Sequence, residues 1–203
     1  MRSVRVEAEL DQQLSRWLWL VKWLLALPHL IVLALLGIAE AVVLVIAFFA
    51  ILVTGRYPRS LFGFTLGVLR WTWRVSYYGY SALGTDRYPP FSLGEQPDYP
   101  ARLHVEYPER LSRGLVLVKW ILAIPHLLIV AVLGGVTRGG LVTILTFFAG
   151  VALLFTGRYP REFFDLILGF DRWALRVIAY TALLTDEYPP FRLDQGGSEL
   201  SPS

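Results

Sequence analysis

The chain has 203 residues, 55% of them hydrophobic, and a formal net charge of +3. So apolar a composition, with a mean hydropathy of +0.52, argues against an ordinary soluble domain and for long membrane spans. The absence of Cys excludes a disulfide framework, a thiolate nucleophile and a Cys-ligated metal, and the mild basic charge, almost all Arg beside apolar stretches, fits membrane headgroups rather than nucleic acid.

The chain is written twice. Residues 14–30 match residues 111–127 at an offset of 97, with 13 of 17 positions identical. The stretch TGRYPR at residues 54–59 recurs at 156–161, now offset by 102, and TDxYPPF at 85–91 recurs at 185–191, offset by 100. Internal duplication fixes the architecture as two equivalent units. The first repeat covers residues 1–98 and the second 99–193. Residues 194–203 (DQGGSELSPS) read as a disordered tail.

In chain order, residues 4–10 (VRVEAEL) alternate apolar and polar with a strand period, and residues 102–107 (RLHVEY) hold the same place before the second copy. Such segments either pair as a small ribbon or run as solvated lead-ins. Acidic Glu7, Glu9 and Asp11, and a long apolar run without a cleavage site, fit a signal peptide poorly, so the first span is expected to be retained.

Residues 17–53 are nearly two spans long, since about 20 apolar residues cross a bilayer. A bend at residues 37–40 gives transmembrane helices near 16–37 and 40–54. In the second copy, Thr137-Arg138-Gly139-Gly140 is a polar turn between helices near 114–136 and 141–155. Gly55 and Gly157 read as C-terminal caps, followed by Arg56-Tyr57 and Arg158-Tyr159 at headgroup level.

The third helix of each copy, about 58–84 and 160–184, carries one stripe of small and charged residues: Gly63, Gly67, Arg70 and Arg74, then Asp165, Gly169, Arg172 and Arg176. Each Arg at the bilayer centre would cost roughly 2.5–3.5 kcal/mol. The sequence therefore predicts an in-plane amphipathic helix, with Phe62, Leu66, Leu69, Trp71, Trp73 and Val75 in the acyl boundary, and a third transmembrane span is the rival reading. Basic residues near the span ends place both termini and both interfacial helices in the cytoplasm. With two spans per copy, the repeats are parallel, related by an axis along the membrane normal.

The combination of LSRxLxLVKW, [LI]PHL, TGRYP, RWxxRV and TDxYPPF resembles the bacterial membrane proteins grouped as the domain of unknown function DUF4389. The resemblance covers nearly the whole chain. It implies an integral membrane protein of the bacterial cytoplasmic membrane, and it carries no activity and no catalytic residues.

Lys22 and His29, with Lys119 and His126, form the strongest polar constellation. A spacing of seven puts each pair on one face of the first helix of its copy, and Pro28 and Pro125 free the carbonyls of Leu24 and Ile121. Such a site is either a proton or ion station or a lock in which the His bonds to the freed carbonyl or to a neighbouring helix. Glu40 is expected to be wetted at the hairpin tip, with pairing to His29 as the alternative. Arg56, Arg70, Arg74, Arg158, Arg172 and Arg176 are candidate contacts to lipid phosphate, with internal pairing to Asp165 or Asp171 as the rival.

No phosphate loop, His-Glu-x-x-His or nucleophile elbow is present, so the chain reads as no enzyme, without metal or cofactor. The expected fold is all-α and membrane-embedded, with two parallel hairpin repeats and two interfacial helices. The expected role is structural or accessory, organising anionic lipid or a partner membrane protein, with homo-oligomers allowed. The alternative is a small oligomeric transporter or channel lined by His29 and His126 at the repeat interface.

Overall fold

The computed structural model describes residues 3–134 and 140–194. Among them the order is β1 (Val4–Ala8), α1 (Trp19–Leu25), α2 (Leu27–Thr54), α3 (Arg59–Gly79), β2 (Ala101–Val105), α4 (Arg113–Gly134), α5 (Leu141–Thr156) and α6 (Arg161–Thr181). The described chain is helical apart from one ribbon, in which β1 and β2 pair antiparallel.

The register of that ribbon carries the symmetry. Val6 faces Leu103, Val4 faces Val105 and Ala8 faces Ala101. An offset of 97 turns Val6 into Leu103, Val4 into Ala101 and Ala8 into Val105. Each residue therefore faces the counterpart of a residue on its own strand, which is the pattern of a two-fold contact. Helix ends repeat it. The Leu111 N–H donates to the Gly55 carbonyl at 2.8 Å, and Arg113 lies over Gly55 while Arg16 lies over Gly157.

Both glycines cap as the sequence predicts. Gly55 (φ 71°) and Gly157 (φ 72°) end α2 and α5 in left-handed backbone, returning their N–H groups to Ile51 and Leu153. The first repeat departs from expectation upstream. α2 continues as helix through residues 37–40, where the sequence predicts a bend, and the interruption falls at Ala26, just before Pro28. Gly37 alone costs a helix only about 1 kcal/mol relative to Ala, and the flanking Leu, Ile and Val absorb it. The rise in offset from 97 to 102 puts five extra residues, rich in Gly, at this place in the second copy only. Thr137, Arg138 and Gly139 of the second predicted turn, and residues 195–203 of the tail, lie outside the described residues.

α3 and α6 also depart from expectation. Phe62, Leu66, Leu69, Trp71, Trp73 and Val75 are buried inside the protein rather than laid in an acyl boundary. Each third helix is enclosed by the apolar helices on one side and by the ribbon and its neighbouring loops on the other. Buried Tyr57 and Tyr159 likewise join the core instead of standing at a headgroup surface. The outward apolar surface belongs to the other helices. Large exposed hydrophobics number five on α1, ten on α2, ten on α4 and five on α5, against none on α3 and two on α6.

Candidate functional site

The residues written identically in both copies converge, once per repeat. Lys22, on the inner face of α1, is 1% exposed, and its ammonium meets the Asp86 carboxylate at 2.8 Å and the Thr85 carbonyl at 2.6 Å. Asp86 also accepts the Ser15 N–H at 2.6 Å, ahead of α1. Lys119 repeats the arrangement with Asp186 (2.7 Å) and the Thr185 carbonyl (2.7 Å), and Asp186 accepts the Ser112 N–H at 2.7 Å. Tyr78 and Tyr180 turn their rings to the two ammonium groups at 5.3 and 5.1 Å. The carbonyls reach the lysines because the chain turns through left-handed backbone at Leu83 (φ 52°) and Leu183 (φ 64°). Leucine gives no sequence signal for that conformation, which the surrounding packing must hold.

Two turns beyond each lysine stands a histidine with no exposed surface. His29 Nδ1 accepts the indole N–H of Trp71 at 3.1 Å, and His126 accepts that of Trp173 at 3.1 Å. Each imidazole is thereby the Nε2–H tautomer, and neither Nε2 has a partner among the described residues. Phe91 stacks on His29 at 3.8 Å between centroids, and Phe191 on His126 at 3.9 Å. Tyr88 and Tyr188 close the sides at 4.8 and 4.9 Å. Each His bonds to the third helix of its own repeat, which is the neighbouring-helix form of the lock.

These contacts make the TDxYPPF segment an arm that straps the first helix of a repeat to its third. After Phe91 the arm continues along the small-residue stripe. Leu93 packs against Gly67, and Leu193 against Gly169, so closely that a Cβ on either glycine would collide. Arg74 donates to the carbonyls of Ser92 and Gly94, and Arg176 to those of Arg192 and Asp194. Burial pulls the Arg74 guanidinium down to about 10, so it stays charged at neutral pH.

Arg70 donates to the Leu103 carbonyl at 2.9 Å and to Glu95 at 3.0 Å, while Arg172 donates to the Val6 carbonyl at 3.4 Å. Four of the six arginines expected at lipid phosphate therefore have protein partners, because the third helix is enclosed. Asp165, one of the expected internal partners, is exposed, and Asp171 accepts from Ser81. Arg56 and Arg158 are exposed beside the capping glycines. They stand with Arg110 and Arg113 in one recess, and with Arg161 in the other. Glu40 is not wetted; both carboxylate oxygens are buried, beside Thr65.

His29 and His126 do not meet. Each is enclosed by the Trp, Tyr and Phe of its own repeat. Among the described residues, no three or more His, Asp or Glu side chains are placed to share a metal ion. Sequence reasoning missed Trp71, Trp173, Tyr88, Phe91, Tyr188 and Phe191 as site residues. Their retention in both copies was the available signal.

Fold and site together define a twice-repeated helical chain, with α2 and α4 long and apolar enough to cross a membrane. The chain belongs to the family described as domain of unknown function DUF4389, whose model matches twice, at residues 16–92 and 113–192. Those matches run from the start of the first apolar helix to the end of the arm in each copy. No curated protein and no solved structure matches the chain.

Proposed function

We propose that the protein is a non-enzymatic integral membrane scaffold whose rim gathers anionic lipid. One observation carries this reading: the thirty exposed large hydrophobics of α1, α2, α4 and α5. Only 6% of the most apolar window of α2 is buried, and 22% of that of α4. A core helix of a soluble protein would be mostly buried. At roughly 1.5–3 kcal/mol for each side chain fully buried, leaving even half of this surface in water would forgo more than the whole stability of a typical domain. Contiguous apolar surface on this scale calls for a cover, and a bilayer supplies one over helices whose backbone bonds are satisfied internally.

In this reading the apolar helices lie in the bilayer, and the ribbon, the arms and the polar ends of α3 and α6 face the cytoplasm. Two exposed arginine groups stand at the rim, Arg56, Arg110 and Arg113 at the end of α2, and Arg16, Arg158 and Arg161 at the end of α5. None has a carboxylate partner among the described residues, and guanidinium forks suit lipid phosphate. The Lys–Asp and His–Trp clusters hold the scaffold rigid. Their enclosure weighs against a His-lined pathway between repeats.

Membrane fractions washed with alkaline carbonate should retain the protein; release into the soluble fraction would end the reading. In nanodiscs mixing phosphatidylglycerol with phosphatidylcholine, the phosphatidylglycerol retained on extraction should exceed its input share. The combined Arg56→Ala, Arg110→Ala, Arg113→Ala variant removes one of two equivalent groups and should retain about half as much. Equal retention of both lipids would remove the anionic-lipid role and leave the scaffold.

A further inference from the structure

The two repeats differ where they meet, and the differences surround a cavity of about 230 Å³. Its walls come from α3, α4, α5, α6 and the turn after α3, and they are mostly apolar: Leu69, Val130, Leu133, Val142, Phe170 and Leu175 among them. Asp171 stands in this wall. The offset of 102 that relates Arg74 to Arg176 makes its counterpart Leu69, so the carboxylate exists in one repeat only. Its hydrogen-bond partner Ser81 follows Gly79-Tyr80, the two residues by which the first copy is longer here.

Structural pinning explains part of this carboxylate. Ser81 donates to Oδ2, and Thr146 of α5 donates to the Ser81 carbonyl, tying the end of α3 to α5 and α6. Oδ1 has no hydrogen-bond partner among the described residues. Trp73, in the same wall and 1% exposed, turns its buried indole N–H away from the open space of the cavity. The chamber is otherwise apolar except for hydroxyls, and those of Tyr80 and Thr143 have no hydrogen-bond partner among the described residues. An alkane leaves the carboxyl oxygen and these hydroxyls unmatched. An ammonium donates to the carboxylate but cannot accept from the hydroxyls. A fatty-acid carboxylate would have to share a proton with Asp171. A hydroxyl donates and accepts.

We propose that this inter-repeat cavity binds the hydroxyl end of a membrane-soluble amphiphile, with Asp171 accepting from the hydroxyl. The chain of the amphiphile lies against Val130, Leu133 and Val142. The alkyl tail then leaves along the apolar helices. The site is separate from the rim arginines, and it stands or falls without them.

The test uses the full chain in nanodiscs and a long-chain fatty alcohol bearing a diazirine and an alkyne. Labelled residues, mapped after photolysis, should be those of the cavity wall. Unlabelled alcohol of the same length should compete, and the matching alkane should not. Asp171→Leu installs the residue the first repeat already tolerates, and it should weaken labelling roughly tenfold. Asp171→Asn, which keeps an oxygen acceptor and nearly the same shape, should retain partial labelling and guards against misfolding as the cause. Equal competition by the alkane, undiminished labelling of Asp171→Leu, or labels scattered over the outer helices would overturn the proposal.

Discussion

The hydroxyl of Tyr88 donates to the carbonyl of Leu25 at 3.1 Å, three residues before Pro28. Tyr188 does the same to Leu122, three residues before Pro125, at 3.2 Å. Proline cannot supply a backbone donor to the preceding turn, and the arm provides a substitute within one residue of the carbonyl that proline strands. Tyr88→Phe and Tyr188→Phe should each lower stability by about 0.5–1.5 kcal/mol, and the two losses should add, because the sites lie in separate repeats. Unfolding curves in mild detergent measure this. Two unchanged midpoints would mean that the hydroxyls are idle.

The Lys22–Asp86 pair should couple. Lys22 is almost wholly buried, whereas the Asp86 side chain is 25% exposed, so solvent screens the pair from one side. A double-mutant cycle of Lys22→Met and Asp86→Asn should give a coupling of about 1 kcal/mol, at the lower end for close pairs. Asp86→Asn alone should be the more damaging change, because it strands the buried ammonium, whereas the carboxylate left by Lys22→Met keeps solvent and the Ser15 N–H. A coupling indistinguishable from zero would make the pair incidental.

Gly157→Ala should cost more than Gly55→Ala. Gly55 (φ 71°) and Gly157 (φ 72°) share a left-handed backbone, which charges any L-residue roughly 1–2 kcal/mol. A Cβ at residue 157 would also meet the Arg16 guanidinium at 2.5–2.8 Å, whereas the nearest atom at residue 55 is 3.5 Å away. Comparing the two melting temperatures tests the order. Equal losses would show that Arg16 moves aside freely.

Asp171 gives a pH signature. Burial pushes its carboxyl up to about 7, far above its ordinary value of 3.8, and only the Ser81 hydroxyl opposes that. The folded protein therefore holds this proton more tightly than the unfolded chain. Its contribution to stability is full below about pH 4, fades as pH rises, and is gone above about pH 7. Midpoints recorded between about pH 5 and pH 8 should fall with rising pH, and Asp171→Leu should flatten that slope. An unchanged slope in the variant would assign it to other groups.

Much of the fold was legible because the chain repeats itself. Third helices and glycine caps follow from periodicity and local chemistry, the strand period shows without its pairing, and both Lys and His pairs stand out as polar residues kept in two copies. The burial of Trp71 and Trp73 does not. An apolar face of a helix looks the same whether lipid or protein covers it, and the cover here comes from residues far away in sequence. Trp71 meets His29 across 42 residues, and no local spacing announces that. Arg70 and Arg74 mislead for a related reason. Their charge suggests phosphate, while the partners are backbone carbonyls, which every residue carries and no sequence pattern marks.

The strand register centred on Val6 and Leu103 has a consequence for ancestry. A lone repeat would end in an orphan edge, complete only when it found its twin. A relative with one copy should therefore work as a homodimer, and residues 94–100 of this chain would be the tether that made such a partnership permanent.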